Sequence, residues 1–176
     1  NSGKSSLFNY LTGMRQDVSN FPGVTVDKKT ASMVLPSGKA IQIIDFPGTY
    51  SVFPNSAEEK LVINTIINPD DANFPDAVLY VADVTQLDRH LLFATQIRDL
   101  GFPMVFILNM VDIAEAAGTK IDPIVLEKYL GCKVILTSVR TEKGLSEIMP
   151  AIDSMLDKNN HPVGVLYQST EKENVV

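Results

Sequence analysis

The chain of 176 residues has one cysteine, no long apolar run and no excess of positive charge. Each shortage excludes something. Cys132 has no second cysteine with which to close an internal disulfide. It sits between Gly131 and an apolar run, so a buried structural thiol is expected, and such sparse usage fits a reducing compartment. No apolar stretch approaches the roughly 18–20 residues that cross a bilayer as a helix, and no secretory leader is visible. Lys and Arg number 15 against 21 Asp and Glu, with a formal net charge of -6 and pI ≈ 4.8. No basic face therefore points to nucleic acid or anionic lipid, and no nucleic-acid partner is expected. Internal repeats and low-complexity segments are also lacking. So is a cluster of metal ligands: His90 falls on a helix face expected to be solvated, and His161 lies in the tail.

What remains is ordinary globular material. Hydrophobic residues make up 45% and charged residues 20%, which suits one domain with a sound core. Apolar runs alternate with polar segments in an α/β rhythm. A helix is expected over roughly Lys4 to Thr12, then a loop from Thr12 to Val24. An alternating segment around Thr30 to Leu35, the turn Pro36-Ser37-Gly38-Lys39 and the run Ala40 to Ile44 read as a hairpin. A helix near Ala57 to Ile67 follows. Ala77 to Ala82, Met104 to Leu108 and Val134 to Leu136 are continuous apolar runs of the kind covered on both faces of a sheet. Between them lie a helix from about Gln86 to Leu100 and one begun by Asp122-Pro123 and ended at Gly131. A last helix spans about Leu145 to Leu156. The expected fold class is α/β: a three-layer fold of the P-loop NTPase type, mostly parallel sheet with one antiparallel hairpin strand and helices on both faces. Residues 1–158 form the domain, and 159–176 read as a linker.

The chemistry begins at the first residue. Asn1-Ser2-Gly3-Lys4-Ser5-Ser6 is the back half of G-x-x-x-x-G-K-[ST]. The front half and its strand would lie upstream, so the domain reads as truncated. Successive backbone N–H groups in such a loop cradle phosphate, and Gly3 lets the backbone come close. Lys4 would reach the β- and γ-phosphates and the Ser5 hydroxyl would hold Mg²⁺, with the helix N-terminus facing the same charge. Alone, the motif also fits a Gly-Lys pair before an ordinary helix.

Four further signals stand at strand ends or in loops, where ligands of such sheets bind. Thr25, in Phe21-Pro22-Gly23-Val24-Thr25, would complete the Mg²⁺ shell when a γ-phosphate is present. Asp45 opens Asp45-Phe46-Pro47-Gly48 and would hold Mg²⁺ through water; Gly48 would present its N–H to the γ-phosphate. Asn109-Met110-Val111-Asp112 follows a strand. The Asp112 carboxylate can accept from the ring N–H and the exocyclic amine of guanine, donors that adenine lacks in that arrangement. Asn109 would tie this loop to the phosphate loop. Finally, backbone N–H groups of Thr137-Ser138-Val139-Arg140 would meet the guanine carbonyl. Separately these are also a surface loop, an acidic turn, a helix N-cap and a strand exit. Their order along one chain points to binding of GTP and GDP with Mg²⁺.

With these motifs the chain resembles the GTP-binding domain of the FeoB family, ferrous iron transport protein B. Leu7-Phe8-Asn9, Leu11-Thr12-Gly13, Asn20 to Val26, Asp45 to Ser51 and Asn109 to Ala114 carry the likeness over nearly all of residues 1 to about 158. The resemblance implies a domain on the cytoplasmic face of a bacterial inner membrane that regulates an Fe²⁺ transporter. Helical and transmembrane regions of the same protein would be its partners. Phe21 stands where the family usually has Trp, Phe46 where it has Leu, and Val139 where Ala is commoner. The first two swaps are expected to change little, while Val139 adds bulk near the guanine and is expected to loosen it.

Thr49 occupies the place of the water-orienting Gln of many GTPases and is too short for that job. Hydrolysis is therefore expected to be slow. Similar GTPases with Asn at position 1 bind K⁺ between the phosphates, which here implies Asn1 with carbonyls near Ser19 and Phe21; Asn1 also reads as a loop-shaping residue. Glu58 and Glu59 are read as a solvated helix start. Two other functions fit the same motifs. One is a soluble K⁺-dependent GTPase of the ribosome or tRNA-modification type. The other is a nucleotide-sensing module with negligible turnover.

Overall fold

The computed structural model describes residues 2–49 and 52–157. Asn1, which the reading above places in the phosphate loop, and the expected linker over 159–176 with His161 lie outside the described residues.

Among the described residues, six strands form two three-stranded sheets. Three antiparallel strands come first: β1 (Asp17–Asn20), β2 (Asp27–Val34) and β3 (Ala40–Asp45). Three parallel strands follow, β4 (Val78–Asp83), β5 (Met104–Asn109) and β6 (Lys133–Leu136), in the order β4-β5-β6. The helices are α1 (Lys4–Thr12), α2 (Ala57–Ile67), α3 (Leu87–Asp99), α4 (Val111–Ala116), α5 (Pro123–Leu130) and α6 (Ile148–Asp157). Short 3₁₀ turns precede α3 and α6.

The parallel sheet is buried because its strands feed two cores, one on each face. Side chains alternate across a strand, and β5 shows the consequence. Met104, Phe106 and Leu108 join Tyr80, Ala82 and Val134 against Ile63 and Ile66 of α2, Phe93, Ala94 and Ile97 of α3 and Leu130 of α5. Val105 and Ile107 join Ile135 against Leu7 of α1, Ile148 and Ile152 of α6, and Leu35 beside the hairpin turn. Helices therefore cover both faces of the parallel sheet. All six residues of β5 are buried, so the loop leaving its end is firmly based.

The antiparallel part is larger than the sequence suggested. β1 lies in the expected loop from Thr12 to Val24 and pairs with β2 from Asp17↔Thr30 to Asn20↔Asp27. Its four residues are all exposed, so no alternation marks it; its place in the sheet comes from pairing with β2. α4 was likewise not legible, being six residues long and opened by Met110 at φ 65 rather than by a polar cap. The other helices follow their cues. Asp122 accepts from the Ile124 and Val125 N–H groups ahead of Pro123. The Ser56 hydroxyl accepts from Glu59 N–H, and the Glu59 carboxylate accepts from Asn55 N–H at 2.7 Å. Glu58 and Glu59 thus serve the helix start.

Two side chains depart from or fulfil expectation in the first core. His90 is buried, not solvated: the Tyr80 hydroxyl lies 3.2 Å from its Nδ1 and the rings meet edge to face. Burial pushes the imidazole below its usual range. The place of His90, four residues before Ala94 and seven before Ile97, puts it on the buried face of α3. Cys132 packs against the same core, and burial pushes its thiol up to about 12.

The hairpin between β2 and β3 is clasped to α6. Both oxygens of Asp153 accept from Ser37, one from its N–H at 2.7 Å and one from its hydroxyl at 2.5 Å. Asp153 is itself buried, and a buried carboxylate needs such partners. Asp153→Ala is expected to cost about 1–3 kcal/mol, and Ser37→Ala, which keeps the N–H bond, about half of that. Urea unfolding of the two variants checks the ranking.

Candidate functional site

The first turn of α1 starts the site. Gly3, in the left-handed region at φ 80, precedes it. A Cβ at this position would stand 2.4 Å from Nδ2 of Asn109 and 3.9 Å from the Met110 methyl. Only glycine fits there, because the end of β5 lies against the loop. Asn109 Nδ2 donates to the Ser2 carbonyl at 3.0 Å. Its Oδ1 accepts from the Thr137 hydroxyl and from Val139 N–H, both at 3.2 Å. One buried amide thus joins the phosphate loop, the end of β5 and the segment after β6, as the residue order implied for the first two.

Asp112 stands in the first turn of α4, three residues beyond Asn109. Its carboxyl is held below the usual carboxylate range, first by a hydrogen bond from the Ser138 side chain and then by Arg140, against the opposing effect of burial. The Arg140 guanidinium donates to Asp112 Oδ2 at 2.5 Å. Lys143 and Glu115 make a second ion pair between the same two segments. The loop itself is closed by Ser138 N–H donating to the Lys143 carbonyl at 3.1 Å. Gly144 permits the closure: a Cβ there would stand 2.1 Å from the Leu136 carbonyl oxygen.

On the other flank, the Lys4 ammonium and the Asp45 carboxylate at the end of β3 form an ion pair. Asp45 is nearly covered and Lys4 is half-exposed. Ser5 and Ser6 are exposed on the first turn of α1, and Thr25 and Gly48 are exposed on their loops. The two loops touch through Phe21 and Phe46, whose ring centroids lie 5.3 Å apart. Phe21 and Phe46, two of the three positions where the resemblance led us to expect another residue, thus contact each other. Ser19 lies in β1 opposite Lys28. The Phe21 carbonyl accepts from Val24 N–H at 3.3 Å.

The structure therefore assembles Ser2, Gly3, Lys4 and Asp45 on one side and Asn109, Met110, Asp112, Ser138, Val139 and Arg140 on the other, bridged by Asn109. Hard oxygen donors, the Ser5 hydroxyl and Asp45, stand at the Lys4 side and suit Mg²⁺ by chemistry. The residue set fits a nucleoside phosphate with its Mg²⁺: a backbone cradle too tight for a Cβ, a lysine, and a carboxylate for the base. Among the described residues no group of three His, Cys, Asp or Glu is placed to hold a metal, and no helix is long and apolar enough to cross a membrane. Three contributions went unseen in the sequence. Thr137 anchors Asn109, Gly144 closes the loop, and the Arg140 side chain reaches Asp112. Only Gly144 left a local signal, as a glycine just before a helix.

Three comparisons bear on this arrangement. Residues 1–152 match the family model described as ferrous iron transport protein B. The Fe(2+) transporter FeoB of Legionella pneumophila (strain Paris) is 40% identical over 156 residues, 86% of this chain and 20% of that protein. The chain thus spans about a fifth of the length of such relatives. Among solved structures, the cytosolic domain of the T. maritima FeoB iron transporter in a GDP form has TM-score 0.88 and 36% identity, covering 98% of this chain and 66% of that one. The G domain of the same transporter has TM-score 0.78 and 36% identity, covering 89% and 92%.

Asn109→Ala would leave the Thr137 hydroxyl and the Val139 N–H without their shared acceptor. It is expected to cost about 1–3 kcal/mol, read as a lowered urea midpoint. Gly3→Ala adds strain at a positive φ and a clash, and is expected to abolish nucleotide binding in calorimetry.

Proposed function

The chain belongs to the ferrous iron transport protein B family, and on that premise we propose that it is the GTP-binding and slowly GTP-hydrolysing domain regulating a membrane Fe²⁺ transporter. The observation that carries the reading is the Asn109 amide. It holds the segment bearing the base-selecting Asp112 against the loop bearing Lys4, so one nucleotide can span both. The GDP form of the similar T. maritima domain supports the choice of ligand. The helical and transmembrane regions of the full-length protein would be its partners, with this domain on the cytoplasmic side of the inner membrane.

In this reading Asp112 accepts from N1–H and the 2-amino group of guanine. Three of the four N–H groups from Thr137 to Arg140 are committed within the protein. Thr137 donates to the Leu108 carbonyl, Ser138 to the Lys143 carbonyl and Val139 to Asn109. The expected contact with the guanine carbonyl therefore narrows to the Arg140 N–H. Val139 packs its side chain against the second core, where its extra methyls meet apolar neighbours. That packing leaves the expected loosening of guanine without structural support.

The phosphates would lie against the N–H groups at the start of α1, and the γ-phosphate would draw Lys4 out of its pair with Asp45. Asp45, Ser5 and Thr25 are then the residues for Mg²⁺, which supplies charge neutralisation at the phosphates. Thr49 cannot reach far enough to orient water as a Gln does. Slow turnover follows, with positioning left to the backbone near Thr25 and Gly48. K⁺ held by Asn1 and the carbonyls near Ser19 and Phe21 would offset charge that other systems meet with an arginine. The Phe21 carbonyl already accepts one hydrogen bond and retains a second lone pair for a cation.

Titration calorimetry with GDP, GTP and ATP tests the assignment. Guanine nucleotides are expected to bind and ATP not, and Asp112→Asn is expected to lower guanine affinity about 100-fold or more. Equal binding of ATP would sink the reading. Because Asp112 is held below the usual carboxylate range, GDP affinity should persist as pH falls to where a free aspartate is half-protonated. It should fail only below that point, as the carboxylate takes up a proton. GTP turnover in K⁺ is expected to exceed that in Na⁺; equal rates remove the cation from the mechanism.

A further inference from the structure

The side chain of Arg140 has no role in a nucleotide site read from backbone donors alone, yet it reaches the carboxylate that such a site needs. Arg140 is 79% exposed and Asp112 14%. An ion pair this open contributes little to stability, but it restricts how a carboxylate can turn. An ionised carboxylate offers about four lone-pair sites. In Asp112 one, on Oδ2, is taken by the Arg140 guanidinium. The others leave room for the N1–H and 2-amino donors of guanine.

We propose that Arg140 is a positioning residue for base selection: its guanidinium fixes the plane of the Asp112 carboxylate so that the 2-amino group of guanine is bonded as well as N1–H. The inference rests on the guanine reading of Asp112. Removing the guanidinium leaves the loop closed. The Lys143–Glu115 pair, the bond from Ser138 N–H to the Lys143 carbonyl and the bond from Val111 N–H to the Thr137 carbonyl at 3.1 Å do not involve it. The other charged residues of the two packed segments are Glu115, Glu142 and Lys143, of which Glu115 and Lys143 are paired with each other.

Inosine diphosphate separates this role from a merely structural one. It keeps the carbonyl and N1–H of guanine and lacks the 2-amino group. A slackened loop would weaken GDP and inosine diphosphate by the same factor, whereas a rotated carboxylate loses the amine contact first. In the full-length chain, Arg140→Ala is expected to reduce the preference for GDP over inosine diphosphate by roughly 10-fold or more, the worth of one charge-assisted hydrogen bond. Arg140→Lys, which keeps the charge and one donor, should recover part of it. Dissociation constants of the two nucleotides for the three proteins, by calorimetry, give the ratios. An unchanged ratio in Arg140→Ala overturns the proposal. So does tighter binding of both nucleotides, which would make Arg140 a competitor of the base. If the parent protein itself shows no preference for GDP, the guanine reading fails instead.

Discussion

Asn109 is 2% exposed and spends both ends of its amide on other segments. Its donor end holds the phosphate loop through a backbone carbonyl. Its acceptor end holds the strand exit after β6 through a hydroxyl and an N–H. These segments lie about a hundred and about thirty residues away along the chain, so no local propensity could bring them together. The cradle around Gly3, the loop around Ser138 and the first turn of α4 all take their relative positions from this one side chain. Unpaired amide atoms in a buried place are costly, which makes the arrangement specific as well as close.

Behind Asn109 stands β5, buried along its whole length between two cores. That burial turns a strand end into a reference point. The base-side residues follow directly from it: Asn109 is its last residue and α4 begins two positions later. The phosphate side is carried by α1, whose Leu7 packs in the same core as Val105 and Ile107 of β5. Apolar packing thus sets the gross separation of the two halves, and the Asn109 hydrogen bonds fix their registration. The antiparallel hairpin brings Asp45 to the same edge and is steadied at its far end by Asp153.

The parts of this design that could be read from the chain were those with local rules. Continuous apolar runs marked β4, β5 and β6, because a strand covered on both faces has no polar side. Asp122-Pro123 and Gly131 bounded α5 through capping chemistry. The order of Gly3-Lys4, Asp45, Asn109 and Asp112 pointed to the candidate site, since each residue type would answer one need of the proposed guanine nucleotide. What escaped had no such rule. β1 is wholly exposed and takes its place from pairing with β2. Through Nδ1, His90 meets the Tyr80 hydroxyl, a partner on another element. Thr137 and the guanidinium of Arg140 act across the site, and nothing in their immediate neighbours announces it. Phe21 and Phe46 could each be seen to depart from the usual residue, but not that the two departures meet.

Cys132 has a practical consequence. With its thiol held up at about 12, on the order of one molecule in 10⁵ carries the nucleophilic thiolate at neutral pH. Maleimide and iodoacetamide reagents would pass it over. A cysteine introduced on an exposed loop, beside Thr25 or Gly48, would then take a fluorophore or spin label selectively, with the native sulfur left in place to fill its share of the core. The chain comes ready for labelling of those loops without prior removal of its own thiol.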